Sequence, residues 1–200
     1  MPQVGNSSTP GSIYFFQGVN TPPNQVATAF TMPASGGLIT NLHAYFATEA
    51  NGTATCWLCL WDGSGNLLGS VAVSVPQGTN SVGGQAWHTG ALATPVYVSG
   101  GSTIYIGFSV PEHNGFVTTT ESTGSSVWNT DASPPGSLSG FSSTGFHALG
   151  AYADYQPVSA RVRRSGAWVQ TGLIYVRRSG VWTQATRVRV RRSGAWVDAQ

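Results

Sequence analysis

Thr94-Pro95-Val96-Tyr97-Val98-Ser99-Gly100-Gly101-Ser102-Thr103-Ile104-Tyr105-Ile106-Gly107-Phe108-Ser109-Val110 is a pair of β-branched and aromatic runs set about a turn. Val, Ile, Thr, Tyr and Phe suit a pleated, half-buried surface. Ser99-Gly100-Gly101-Ser102 offers residues that reverse the chain without steric cost. The stretch predicts two strands joined as a hairpin.

The same grammar runs through the rest of the first 157 residues. Ile13 to Phe16, Val26 to Met32, Leu38 to Phe46, Thr53 to Trp61, Leu67 to Val73, Gln85 to Thr89 and Gly150 to Tyr155 each read as a strand. Asn20 to Asn24, Pro33 to Gly37, Asp62 to Asn66 and Gly78 to Gly84 separate them as turns or loops. Val26, Thr28, Phe30 and Met32 alternate onto one face, as a half-buried strand requires. No segment carries a convincing helical period. Regular turn signals without helices indicate an all-β, jelly-roll-like β-sandwich of about eight strands. Residues 118–145, rich in Ser, Thr, Gly and Pro around Val127-Trp128, read as a long surface excursion.

Composition agrees and adds an asymmetry. Only 8% of residues are charged, and 26 Gly with 11 Pro fit a turn-rich β protein. There is no lysine, and all nine arginines lie between Arg161 and Arg192. Residues 1–160 hold Glu49, Asp62, Glu112, Glu121, Asp131 and Asp154 and no Lys or Arg, hence −6. Residues 161–200 hold nine Arg against Asp198, hence +8. The shift divides the chain into an N-terminal arm (1–12), a sandwich domain (13–157) and a C-terminal region (158–200). Met1 to Ser7 lacks the charged and apolar regions of a signal peptide, and no run approaches the ~18 apolar residues of a membrane span. Synthesis in a cytoplasm, without membrane insertion, is the expectation.

The C-terminal region writes one phrase three times: Val162-Arg163-Arg164-Ser165-Gly166-Ala167-Trp168, Val176-Arg177-Arg178-Ser179-Gly180-Val181-Trp182 and Val190-Arg191-Arg192-Ser193-Gly194-Ala195-Trp196. A period of 14 residues is too short for a helical-pair repeat and suits one β-hairpin per copy. With Ser-Gly as a two-residue loop, Arg164 faces Ala167, Arg163 faces Trp168 and Val162 faces Val169. A guanidinium over an indole gains about 0.5–1 kcal/mol when exposed. Short hairpins are marginal alone, so the unit is expected to pack on its sandwich or on copies of itself. Arg163, Arg164, Trp168, Arg177, Arg178, Trp182, Arg191, Arg192 and Trp196 are the candidate interface residues. Their strict register argues against a solvated polybasic arm, so nucleic acid is not expected as the partner.

Chemistry-bearing motifs are sparse. Without lysine there is no Schiff-base chemistry, and no nucleophile elbow or phosphate-cradling loop is present. Cys56 and Cys59 stand three positions apart, an odd offset that puts them on opposite faces of a strand as small buried hydrophobes. His43, His88, His113 and His147 are scattered; Glu112-His113-Asn114 reads as decoration of a loop tip. Asp62, Ser64 and Asn66 space three oxygen-bearing side chains as calcium loops do, although a plain turn is the simpler reading, and no cofactor is otherwise expected. Trp87, Trp128 and Tyr97 are candidates to stack on sugar rings; Trp57 and Trp87 read in preference as core aromatics, which leaves Trp128 as the candidate glycan contact.

Two resemblances attach to these residues. Ala29 to Ser109, with Gly37–Leu42, Trp61–Leu68, Trp87, Pro95–Tyr105 and the closing Gly150–Tyr155, resembles a family of bacterial β-sandwich domains related to galactose-binding modules. That resemblance implies a cell-surface, glycan-associated context with no catalytic residues. The Val-Arg-Arg-Ser-Gly-x-Trp triplet is similar to repeats that end virion structural proteins, minor tail proteins among them, of phages of actinobacteria. Together they set the expectation of a non-enzymatic phage virion protein, of minor-tail or capsid-decoration type. Its repeats would anchor or oligomerise it, with a trimer and contacts to other virion proteins expected, while the sandwich faces outward. The alternative is a carbohydrate-binding module that recognises host cell-wall glycan. A glycan-cleaving enzyme is the remaining rival, and it requires two carboxylates at a fixed separation.

Overall fold

Strand-forming runs and turn clusters become an all-β chain in the computed structural model, and no helix occurs among the described residues. Those residues are 1–9, 12–16, 25–48, 53–76, 85–111, 116–120, 126–129, 135–138, 142–143, 148–157, 160–164, 167–171, 175–178, 181–184, 189–192 and 195–198. In order the strands are β1 (Gln3–Asn6), β2 (Ser12–Phe16), β3 (Gln25–Thr31), β4 (Gly37–Thr48), β5 (Thr53–Asp62) and β6 (Leu67–Pro76). There follow β7 (Ala86–Val98), β8 (Thr103–Ser109), β9 (Phe116–Thr120), β10 (Ser126–Asn129), β11 (Ser142–Ser143) and β12 (Ala151–Gln156). The repeats supply β13 (Ala160–Arg164), β14 (Ala167–Thr171), β15 (Tyr175–Arg178), β16 (Val181–Gln184), β17 (Arg189–Arg192) and β18 (Ala195–Asp198).

Two six-stranded antiparallel sheets make the sandwich. In the first, β4 carries β7 along one edge and β12, then β1, along the other; β9 and β2 continue that second edge past Phe46. The second runs β11-β10-β3-β8-β5-β6. Reduced to eight principal strands, the orders are β1-β12-β4-β7 and β3-β8-β5-β6. Each pass from β3 to β4 to β5, and from β6 to β7 to β8, changes sheet. This is the doubled Greek key of a jelly roll.

Alternation places the core between the layers. Ile39, Leu42, Ala44 and Phe46 of β4 meet Leu58 and Leu60 of β5 and Ile104, Ile106 and Phe108 of β8, all buried. The Phe46 and Phe108 rings stack across the layers at 4.0 Å and 2°. The opposite side of the second sheet is also closed. Ala27, Cys59, Trp61 and Val127 form a second cluster there, sealed by Leu138. The Trp61 indole donates to the Gly136 carbonyl at 2.8 Å, and Leu138 N–H donates to Gly65 O at 2.8 Å. The two cysteines therefore lie on opposite faces of β5, each buried as a free thiol.

Three expectations change. Thr94–Val98 and Thr103–Val110 do not form a hairpin: β7 pairs with β4, and β8 pairs with β3 and β5. Ser99–Ser102 instead arches from one sheet to the other. Gly101 holds φ +77° there, and its N–H donates to Met32 O. Residues 3–6, read as part of an arm, add an edge strand whose Val4 reaches the core. The excursion at 118–145 contributes β10 and β11 to the second sheet, and its residues 135–138 cover Trp61.

Candidate functional site

The three repeats form three separate two-stranded sheets, β13-β14, β15-β16 and β17-β18, each paired only with itself among the described residues. Arg163 is opposite Trp168, Arg177 opposite Trp182 and Arg191 opposite Trp196, with Val162 opposite Val169 and Arg164 opposite Ala167. The register expected from the Ser-Gly loop is the observed one in all three copies. A short loop fixes pairing with little room for slippage. The side chains of these Arg and Trp residues lie outside the described residues, as do Glu112, His113, Asn114, His147 and the ring of Trp128. Trp128's backbone sits in β10, opposite Val26 and Ser142.

A further group of side chains, of which the sequence reading named Trp87 but not the assembly, occupies the outer face of the first sheet. Pairing brings Gln3, Asp154, Asn41 and Ala91 into one row across β1, β12, β4 and β7. Gly5, Tyr152, His43 and Thr89 make the next row, and Tyr45 with Trp87 begins a third. His43 is held at both ring nitrogens: Nδ1 lies 2.8 Å from Thr89 Oγ1 and Nε2 lies 3.1 Å from Asp154 Oδ2. Asn41 Nδ2 also donates to Asp154 Oδ2 at 3.2 Å, and Gln3 Nε2 reaches Oδ1 at 3.4 Å. Burial pushes the Asp154 carboxyl up, but the donors from His43 and Asn41, electrostatic attraction to His43 and the donor from Gln3 outweigh it and hold it below the usual carboxylate range.

Aromatic rings line the rest of this face. Tyr152 stacks on His43 at 4.1 Å and 6°. Trp87 meets Tyr152 edge to face at 5.2 Å and lies 5.4 Å from Tyr45. The Trp87 indole N–H points to Thr9 Oγ1 at 3.4 Å. Burial, and then the Asp154 charge, raise the Tyr152 hydroxyl. Trp87 is thus not a core residue as expected. The core side of β7 is taken by His88, Gly90 and Leu92; a Cβ on Gly90 would come within 2.5 Å of Val71 Cγ1. His88 bonds to Phe46 O at 3.1 Å, and burial lowers its pKa. Trp57 is partly buried against the Ala27, Cys59 and Trp61 cluster of the second sheet, and Trp61 is fully enclosed there. Tyr97 is 37% exposed farther along β7.

At Asp62 the carboxylate faces donors. Oδ1 accepts from Ser64 N–H at 2.8 Å and Asn66 N–H at 2.9 Å, and Oδ2 accepts from Asn66 Nδ2 at 2.9 Å. The Asn66 side chain, followed by the backbone donors against a small opposing burial effect, lowers the Asp62 pKa. Asp62, Ser64 and Asn66 therefore close an Asx turn at the β5–β6 hairpin, in place of converging oxygens on a calcium ion. Asp62 and Asp154 stand on different sheets, and the remaining acids of the sandwich, Glu49, Glu112, Glu121 and Asp131, lie outside the described residues. No family model matches the chain, and no curated protein or solved structure matches it.

Proposed function

We propose that this chain is a non-enzymatic structural protein of a phage virion, of the minor-tail or decoration kind. Its Arg/Trp hairpins act as the assembly device, and its jelly roll is the displayed body. The observation that carries the reading is the threefold recurrence of one register, Arg opposite Trp, in hairpins that pair only with themselves among the described residues. A lone two-stranded hairpin is marginal in water. Three copies of one such hairpin, written at a constant spacing, make sense where each gains a surface to pack on. The +8 of the repeat region against the −6 of the sandwich supplies an attraction between neighbouring subunits. A homo-oligomer, a trimer in the simplest arrangement, buries the repeats in this way, and contacts to other virion proteins extend it.

Light scattering on the full chain and on a chain ending at residue 160 tests the proposal. The expected result is a multimer that becomes a folded monomer on truncation. A shortened chain that still assembles would remove the anchoring role, and a full chain that is already monomeric would place the hairpins on their own sandwich.

A further inference from the structure

We propose that the outer face of the first sheet, centred on Trp87 and Tyr152, binds a neutral polysaccharide by stacking a pyranose ring. The proposal is independent of the anchoring role of the repeats. Solvent-facing positions on a sheet are ordinarily filled by small polar and charged side chains. Here Tyr45, Trp87, Tyr152 and His43 are contiguous, and the first three are only half-buried. These rings belong to neither apolar core cluster.

The ring positions are fixed before any ligand arrives. His43 is tied at both nitrogens, and Tyr152 lies flat against it. On β1 the register partner of Tyr152 is Gly5. Gly5 has φ +119°, and a Cβ there would sit 2.6 Å from Tyr152 Cα, so Gly5 itself puts no side chain over the ring. Preorganised aromatic surface loses little side-chain entropy on binding. A pyranose presents an apolar face of C–H groups ringed by hydroxyls. It matches an aromatic floor bordered by hydrogen-bonding groups, since Trp and Tyr combine an apolar body with a polar tip.

The border is present. Asp154, Asn41, Gln3 and Thr89 stand beside the rings. Asp154 Oδ1 receives only the long 3.4 Å contact from Gln3 among the described residues, which leaves acceptor capacity for a ligand hydroxyl. Charge selects the ligand class further. No Lys or Arg occurs before Arg161, and Asp154 is held ionised. An anionic glycan or a phosphate-bearing polymer would meet repulsion, whereas a neutral, hydroxyl-rich one does not.

The test is affinity electrophoresis of the full chain in native gels containing neutral glucan, galactan or mannan, with polygalacturonate as the anionic comparison. Retardation in at least one neutral gel is expected, with affinity reduced about tenfold or more in Trp87→Ala and in Tyr152→Ala. Ala91→Arg, an exposed change at the border, guards against loss by misfolding and should weaken binding while the thermal melt stays in place. Replacing Trp168, Trp182 and Trp196 by Ala should leave the retardation intact whether or not the oligomer survives. No retardation in any neutral gel would overturn the proposal. So would retardation that persists in all three sandwich variants, or binding to polygalacturonate alone.

Discussion

Asp154 is where one side chain answers to several others. His43, Asn41 and Gln3 all direct donors at its carboxylate, and its folded pKa lies below the unfolded value of about 3.9. A depressed carboxylate binds fewer protons folded than unfolded, so its stabilisation is complete above pH ~4 and is lost as pH falls through the folded value. Thermal melts followed by circular dichroism from about pH 6 to pH 2 should show the melting temperature dropping at the acid end. Asp154→Asn should flatten that drop while lowering the plateau. The cysteines predict an opposite kind of silence. Burial pushes the Cys56 thiol up to about 12 and raises Cys59 as well. Thiolate is the reactive form, so an aromatic disulfide reagent near pH 8 should report no thiol in the native chain and two after denaturation. Their opposite placement on β5 was readable from the spacing alone. The Asp154 cluster was not, because its members come from β1, β4, β7 and β12 and no local pattern links them.

Residues 135–138 act at the scale of an element, as a strap across the second sheet. Leu138 is fully buried against Trp61, and Gly136 O receives both the Trp61 indole N–H and the Gln25 side-chain amide at 3.2 Å. Leu138→Ala removes packing from a closed site and should cost about 2–5 kcal/mol. Trp61→Phe keeps most of the ring and leaves Gly136 O its Gln25 donor, so about 1 kcal/mol is expected. Urea unfolding of the two variants should order them in that way. The comparison between sequence and fold is most instructive here. Alternation along β3 and the β-branched and aromatic run of β8 announced strands correctly, because both are local properties. Partner choice is not local: Ser99–Ser102 has the chemistry of a hairpin turn, yet it joins strands in different sheets. Trp87 was misplaced for a related reason. The set His88, Gly90 and Leu92 is hardly more apolar than Trp87, Thr89 and Ala91, and the decision rests on Val71 of β6 filling the space over Gly90. The repeats were legible down to individual pairs, since a two-residue loop sets register without help from distant strands.

Across the whole molecule the governing feature is the separation of charge, −6 over residues 1–160 and +8 over residues 161–200. If hairpins of one subunit meet the sandwich of another, part of the attraction is between fixed surface charges. Such attraction is screened over about 10 Å at 0.1 M salt and about 3 Å at 1 M. Apolar burial between hairpins responds in the opposite sense or hardly at all, because salts that act on it tend to strengthen it. Sedimentation velocity of the full chain from about 0.05 to 1 M sodium chloride therefore separates the two contributions. A fall in mass with salt is expected, since nine Arg in a lysine-free chain are concentrated in the one region with repeated register. A mass that holds constant would instead assign assembly to the apolar faces carrying Val162 and Val169 and their counterparts. The acidic sandwich would then be left without a role in anchoring. Neutral-glycan retention by the outer face of the first sheet should survive high salt in either case, because stacking on Trp87 and Tyr152 involves no ion pair.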